Sequence, residues 1–330
     1  MLSDLDKKRL ARELARMGVP IELRFHAETG HPLNQLLEEE ANSVSLNSKG
    51  SVRVVKGNGK GPPAKPAITI SYRGKDNIHY LALPEGPELL PFLNCLVGLA
   101  RGVVGITAGW LRDLANLRHE AELLVFVTPS CPHCPVAVDA ALKVGTATPL
   151  VTVSIVDAEQ YPELSGSLNV KSVPACFLDR GLVFFGEITP KELVSAILSR
   201  DKPGFQAAEL VSLVETGRFE QAAGLLLGEH GTDALHGALE NSSLNLRMGL
   251  FLAVERALEQ DARGLDKAVN RLIDLLHSPD AALRGDVGDI LGRIGSPLAV
   301  PALIELCGDL NPDVAEIASD ALESIERSKE

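Results

Sequence analysis

The sequence predicts an α/β fold over its first two-thirds and an all-helical array over the rest. Three observations carry this. Between 103 and 200, short apolar runs alternate with stretches of helical spacing. Over 1–102 the same plan recurs in weaker form. From about 201 every segment has a helical period, and a repeat of 31 residues emerges. A chain of 330 residues exceeds one ordinary domain. We divide it at 1–102, 103–200 and 201–330.

The middle segment reads element by element. "TAGWLRDLANLRHE" places Trp110, Leu111, Leu114 and Leu117 at helical spacing. "ELLVFV" is a buried strand ending in Thr-Pro-Ser. Cys131-Pro132-His133-Cys134 follows, then a helix, "PVAVDAALKV". "LVTVSIVD" is a second strand, and Tyr161 and Pro162 start the helical "YPELSGSL". "PACFLD" and "LVFFGE" flank Asp179-Arg180-Gly181 as a hairpin, and "PKELVSAILS" closes with a helix. The order is α-β-α-β-α-β-β-α.

The two cysteines carry the chemistry. A thiolate is the nucleophile in disulfide exchange, and a helix N-terminus, with unpaired N–H groups and a favourable dipole, stabilises it. Placed there, Cys131 attacks a substrate disulfide and Cys134, one turn on, resolves the mixed disulfide. Pro132 suits the first helical turn, where no amide proton is needed. His133 is a candidate positive charge beside the thiolate. The pair also fits half of a zinc site, but zinc wants four ligands and the sequence has no second CxxC or His pair. Cys176 reads as a core strand residue, and Cys95 and Cys307 as core residues of apolar helices.

A strand, CPxC, a helix and a later Val-Pro before a hairpin resemble the thioredoxin fold. "VKSVPACF" resembles that family's cis-proline loop, with Val173 and Pro174 its two central residues. The resemblance implies that Pro174 is cis and that its loop offers a free backbone edge to a substrate peptide. One departure stands out. Many thioredoxins carry a buried acid six residues before the first cysteine; here that position is Val125, as in glutaredoxin-like relatives, and Glu122 lies exposed nearby.

Residues 1–102 align with this segment at a shift of 103. Ile21 then meets Leu124, Leu23 meets Phe126 and Pro32 meets Pro135, with Glu28 and His31 in place of the cysteines and Pro66 as a second candidate cis-proline. Two tandem thioredoxin-like domains, the first degenerate, resemble the N-terminal module of the flavoprotein subunit of bacterial alkyl hydroperoxide reductase. They also resemble the protein disulfide oxidoreductases of thermophiles. "GNGKGPP" (57–63) is the only Gly-rich run and leads into prolines, so it reads as a loop rather than a phosphate cradle.

In the last third, "LIDLLHSPDAALRGDVGDILGRIGSPLAVPA" and "LIELCGDLNPDVAEIASDALESI" align at 31 residues, pairing Leu272 with Leu303, Leu283 with Val314, Leu291 with Leu322 and Ile294 with Ile325. This resembles HEAT-type repeats, helix pairs that bury one face by stacking on a neighbour.

Composition narrows the function. Hydrophobic residues make up 45% and aromatics only 4%, which suits cores of Leu, Val and Ala. A net charge of −12 with no basic patch argues against a nucleic-acid partner. The opening "MLSDLDKKRLARELARMG" lacks the apolar core of a signal peptide, and no apolar stretch is long enough to span a bilayer, so the expected location is the cytoplasm. Five cysteines do not make a disulfide-stapled secreted scaffold.

The reading is a thiol–disulfide oxidoreductase with no cofactor beyond its redox-active disulfide. The Pro-His dipeptide resembles that of strongly oxidising periplasmic thiol oxidases, whereas the tandem architecture resembles cytosolic electron carriers. The latter implies a flavoprotein reductase as donor, a peroxidase or other disulfide protein as client, and a protein partner for the helical repeats. An interaction scaffold with the cysteines as a redox switch is the alternative of a different class, and a metal-handling protein a third.

Overall fold

The computed structural model describes the whole chain except residues 1–3, 15–19, 58–60, 103–104, 203, 241 and 328–330. The chain forms two compact units, Met1–Ser199 and Arg200–Glu330. The expected boundary at 102/103 abuts residues outside the described set, as does part of the 57–63 run.

The first unit is α/β. Its elements are α1 (Asp4–Leu14), β1 (Ile21–His26), α2 (Leu33–Asn47), β2 (Val52–Lys56), β3 (Ala67–Tyr72), β4 (Lys75–Leu81), a 3-10 turn (Gly86–Glu88) and α3 (Leu89–Arg101). Then come α4 (Ala108–Ala115), β5 (Ala121–Val127), α5 (Cys134–Ala147), β6 (Val151–Asp157), α6 (Pro162–Ser167), β7 (Ala175–Leu178), β8 (Leu182–Phe185) and α7 (Pro190–Ser199). The order predicted for 103–200 matches element for element. One eight-stranded sheet runs β2-β1-β3-β4-β6-β5-β7-β8. Each half lays its strands in the order second, first, third, fourth, and β4 joins β6 in parallel.

Strand β5 is buried from Leu123 to Val127 because sheet neighbours flank it and helices cover it. The β3–β4 hairpin closes on two residues, Arg73-Gly74, and the β7–β8 hairpin on three, Asp179-Arg180-Gly181, with positive φ at Arg73, Gly74, Asp179 and Arg180. The strand registers correct the alignment of the halves. His26 pairs with Ala67, next to Pro66, as Phe126 pairs with Ala175, next to Pro174. The first strands therefore correspond at a shift of 100, not 103, and His31 and Asn34 stand where the second half has Cys131 and Cys134. The slide is invisible in the sequence because neither strand carries a chemical marker to pin its register.

The second unit is wholly helical: α8 (Phe205–Glu215), α9 (Phe219–Leu227), α10 (Gly231–Glu240), α11 (Leu244–Gln260), α12 (Val269–Leu275), α13 (Ala281–Ile294), α14 (Val300–Leu306) and α15 (Pro312–Arg327). The starts of α12 and α13 recur in α14 and α15 31 residues later, and so do the 3-10 turns ahead of α12 and α14. Leu272, Leu303, Leu283, Val314, Ile294 and Ile325 are all buried in one core, against which Leu322 packs. Cys307 departs from expectation: it is half-buried, its Sγ 3.6 Å from Ser319 Oγ, because it follows the last residue of α14. An arginine ties the repeats together. Arg284 of α13 donates through Nε and Nη2 to both oxygens of Asp309, which holds the Asp309 carboxyl down at about 2.

Candidate active site

The site grows from the end of β5. After Val127 the chain turns, the Cys131 N–H donating to the Thr128 carbonyl, and α5 begins at Cys134. Cys131 and Cys134 form a disulfide with Cα atoms 5.5 Å apart. They differ in access: Cys131 is 9% exposed and Cys134 fully buried. The Cys134 N–H donates to the Cys131 sulfur at 3.1 Å, so a donor from the helix N-terminus points at the atom that would carry the charge.

Pro132 is not in the first helical turn. It lies in the bend before the N-cap, His133, and Pro135 occupies the first turn instead. The cause is the hydrogen-bond pattern: the Cys134 amide is committed to sulfur and Pro135 has none, so the helix ladder opens with Val136 donating to the His133 carbonyl.

His133 has a partner that the sequence did not disclose. Its Nδ1 lies 2.8 Å from Glu187 Oε1. A carboxylate only accepts, so Nδ1 carries a proton. Glu187 is placed by Gly186, whose φ of +79° lets its N–H donate to the Pro174 carbonyl at 2.9 Å. Both side chains are more than half exposed, so solvent screens the pair.

The Val173–Pro174 bond is cis, as is Lys65–Pro66. The β5–β7 register sets Ala175 opposite Phe126 and so brings the Pro174 loop alongside the end of β5. Among the described residues, none forms a backbone hydrogen bond with Val173. Phe185, half-exposed, stands opposite Ala175 at the end of the edge strand. Val125 is fully buried, and no acid takes its place there. A buried carboxylate does sit one strand over: Asp157 pairs in register with Val127 and caps the following turn through the N–H groups of Glu159 and Gln160. Burial raises its pKa. Glu122 is only partly exposed and is held by Arg180 Nε at 2.7 Å.

Cys176 is buried, and burial pushes its thiol to about 12; the same holds for Cys95. Neither is a thiolate near neutral pH. Among the described residues no group of three or more His, Cys, Asp or Glu is arranged to hold a metal. No helix among them is long and apolar enough to cross a membrane.

The corresponding place in the first half is filled differently. His31 Nδ1 accepts the Leu33 N–H at 3.2 Å, its Nε2 lies 3.1 Å from the Gln160 carbonyl, and its ring stacks on Tyr161. The Tyr161 hydroxyl donates to the Pro66 carbonyl. Beneath, His26 and His79 share the Thr69 hydroxyl at 2.9 Å each, and burial lowers both imidazoles, His79 to about 4.

A disulfide at a strand–helix junction beside a cis-proline loop defines a thioredoxin-like domain, here joined to helical repeats. A thioredoxin domain model matches residues 121–199 and a HEAT repeat model matches residues 251–325. The AhpF component of alkyl hydroperoxide reductase from Xanthomonas campestris is 20% identical over 216 residues, 64% of this chain and 40% of that protein. The chain thus spans well under half of that relative. A thioredoxin of Methanocaldococcus jannaschii is 28% identical over 82 residues, 24% of this chain and 96% of its own. Among solved structures, AhpF of Enterococcus faecalis superposes with a TM-score of 0.53 at 18% identity, covering 59% of this chain and 99% of that one. The protein disulfide oxidoreductase of Aeropyrum pernix gives 0.53 at 19%, covering 60% and 93%. At that identity the likeness concerns the fold.

One buried group outside the disulfide has a measurable consequence. Glu88, the last residue of the 3-10 turn and the N-cap of α3, is 6% exposed, and neither carboxylate oxygen has a hydrogen-bond partner. Burial raises its pKa to about 7 from 4.5. The native state therefore holds this proton more tightly than the unfolded chain does, and stability falls as pH rises from about 4.5 to about 7. Glu88→Gln is expected to stabilise the protein by about 1–3 kcal/mol at pH 8 and by almost nothing at pH 4.5. Urea unfolding at the two pH values reads this directly, and an equal gain at both would rule out the buried charge as its cause.

Proposed function

We propose that the protein is a thiol–disulfide oxidoreductase acting on protein disulfides, with Cys131 as nucleophile and Cys134 as resolving thiol. The observation that carries this reading is the asymmetry of the pair: Cys131 keeps 9% exposure and its sulfur accepts a helix N-terminal amide, while Cys134 is fully buried. Reduced Cys131 attacks a client disulfide. Cys134 then displaces the client thiol, leaving the Cys131–Cys134 disulfide and a reduced client. The uncommitted backbone of Val173 beside Pro174 offers an edge for the client's main chain, and half-exposed Phe185 offers apolar contact. His133, oriented by Glu187, tunes the thiolate, and Pro132 rigidifies the turn between the cysteines.

The exchange needs no cofactor beyond this disulfide. We further propose that the chain is a tandem of thioredoxin-like domains over 1–102 and 103–200, supported by the shared strand order, with the first domain redox-inactive. Likeness to the AhpF proteins favours a flavoprotein reductase as electron donor, a peroxidase or similar client, and the cytoplasm as location. The repeats over 201–330 would hold a protein partner. The scaffold reading keeps one support, the same repeats.

The test is the equilibrium potential of Cys131–Cys134 in defined thiol buffers. A value near about −270 mV is expected for a reductant, whereas one near about −120 mV would make the protein an oxidase. Absence of a reversible two-electron disulfide would sink the enzyme reading and leave the scaffold.

A further inference from the structure

A groove of about 570 Å³ runs between α3 and α5, and nothing in the exchange chemistry uses it. Strands β4 and β5 are both parallel to β6, and each feeds one of these helices from its C-terminal end. The two helices therefore start at the same edge of the sheet, the edge that carries the disulfide. Pro135 and Val136, directly after Cys134, form one lip of the groove, and Leu90 forms the other. Val136 is 45% exposed and Leu90 49%, large apolar surfaces left in water along this groove. Pro91, Val97 and Leu142 also line it. Arg101 and Lys143 line the far end, and Lys143 is paired with Asp139, the one acid among the described lining residues. From Pro135 to Thr146 the groove follows α5 for about 16 Å at about 1.5 Å per residue.

We propose that this groove docks the protein client, seating an amphipathic segment that continues from the client's reactive cysteine. Its apolar side chains lie against Leu90 and Val136, and an acidic group about two to three helical turns on meets Arg101 and Lys143. The proposal rests on the disulfide-exchange reading and names the substrate class of that same site. Continuity of the lip with the first turn of α5, the helix that opens at Cys134, favours this occupant.

The test uses the full-length reduced protein and a fourteen-residue peptide whose single cysteine is capped by glutathione. Leucines stand three, four and seven residues after the cysteine, and two glutamates lie at the far end. A control peptide has serines in place of the leucines. Each turnover converts one peptide–glutathione disulfide and the protein dithiol into free peptide thiol, free glutathione and the protein disulfide. The leucine peptide is expected to react about tenfold faster than the control. Leu90→Asp should bring that ratio to about one without changing the control rate, and Lys143→Glu should move the preference to a lysine-ended peptide. Equal rates for the two peptides with wild-type protein, or a ratio that survives both substitutions, would overturn the docking proposal alone. So would a dimer that Leu90→Asp dissociates. If wild-type protein reduces neither peptide, the exchange reading itself fails and the docking proposal falls with it.

Discussion

Replacing Cys131 with serine is expected to lower the rate of protein-disulfide reduction by at least about a thousandfold, because the thiolate, not a hydroxyl, is the competent nucleophile. Replacing Cys134 gives a different phenotype. Attack through the Cys131 sulfur persists, but no second thiol remains to release the client, and a mixed disulfide accumulates. The two sulfurs are not interchangeable because Cys134 is fully buried while Cys131 touches solvent. Non-reducing gel shift and mass spectrometry of Cys134→Ser with reduced-then-reoxidised client read the trapped species. Wild-type turnover in Cys131→Ser would remove the nucleophile assignment. Unchanged partner binding by the repeats in the same variant would separate catalysis from scaffolding.

A large effect on stability is expected in the helical unit, at Gly292. There α13 and α15 approach so closely that a β-carbon on Gly292 would stand 2.7 Å from Ala321 Cβ and 2.8 Å from its Cα. A backbone atom cannot swing aside as a side-chain tip does, so the helices must separate. Gly292→Val should destabilise the unit by about 1–3 kcal/mol or more. Gly224 in α9 is the control, since a β-carbon there meets nothing within 4 Å. Gly224→Ala should stabilise by about 0.5–1 kcal/mol through the backbone entropy of glycine in a helix. Far-ultraviolet circular dichroism against urea compares the two. Equal shifts for both substitutions would mean that the α13–α15 contact does not limit stability.

Much of the site was legible because its chemistry is written locally. Cys131 and Cys134 lie within four residues, and a strand before them and a helix after them follow from apolar periodicity alone. The repeat was legible for a similar reason: a helix pair that buries the same face on each neighbour must repeat its apolar positions, and Leu272 with Leu303 did so. Glu187 was not legible. An exposed glutamate has no pattern, and its meeting with His133 depends on a positive φ at Gly186 and on the hairpin that carries it back to the site. Which proline enters the helix was likewise undecided until the Cys134 amide was seen to be committed to sulfur.

By itself, then, the sequence determined the α/β-then-helical order, the redox pair and the 31-residue period. These are features that neighbouring residues encode through spacing. The tertiary structure alone decided the register that sets His31, not Glu28, in the place of the first cysteine. It also decided the filling of that place by Tyr161 from the other half, and the groove between α3 and α5. Each of these joins segments dozens of residues apart. Such contacts are selected by the packing of whole faces against each other, and no local spacing records which face meets which.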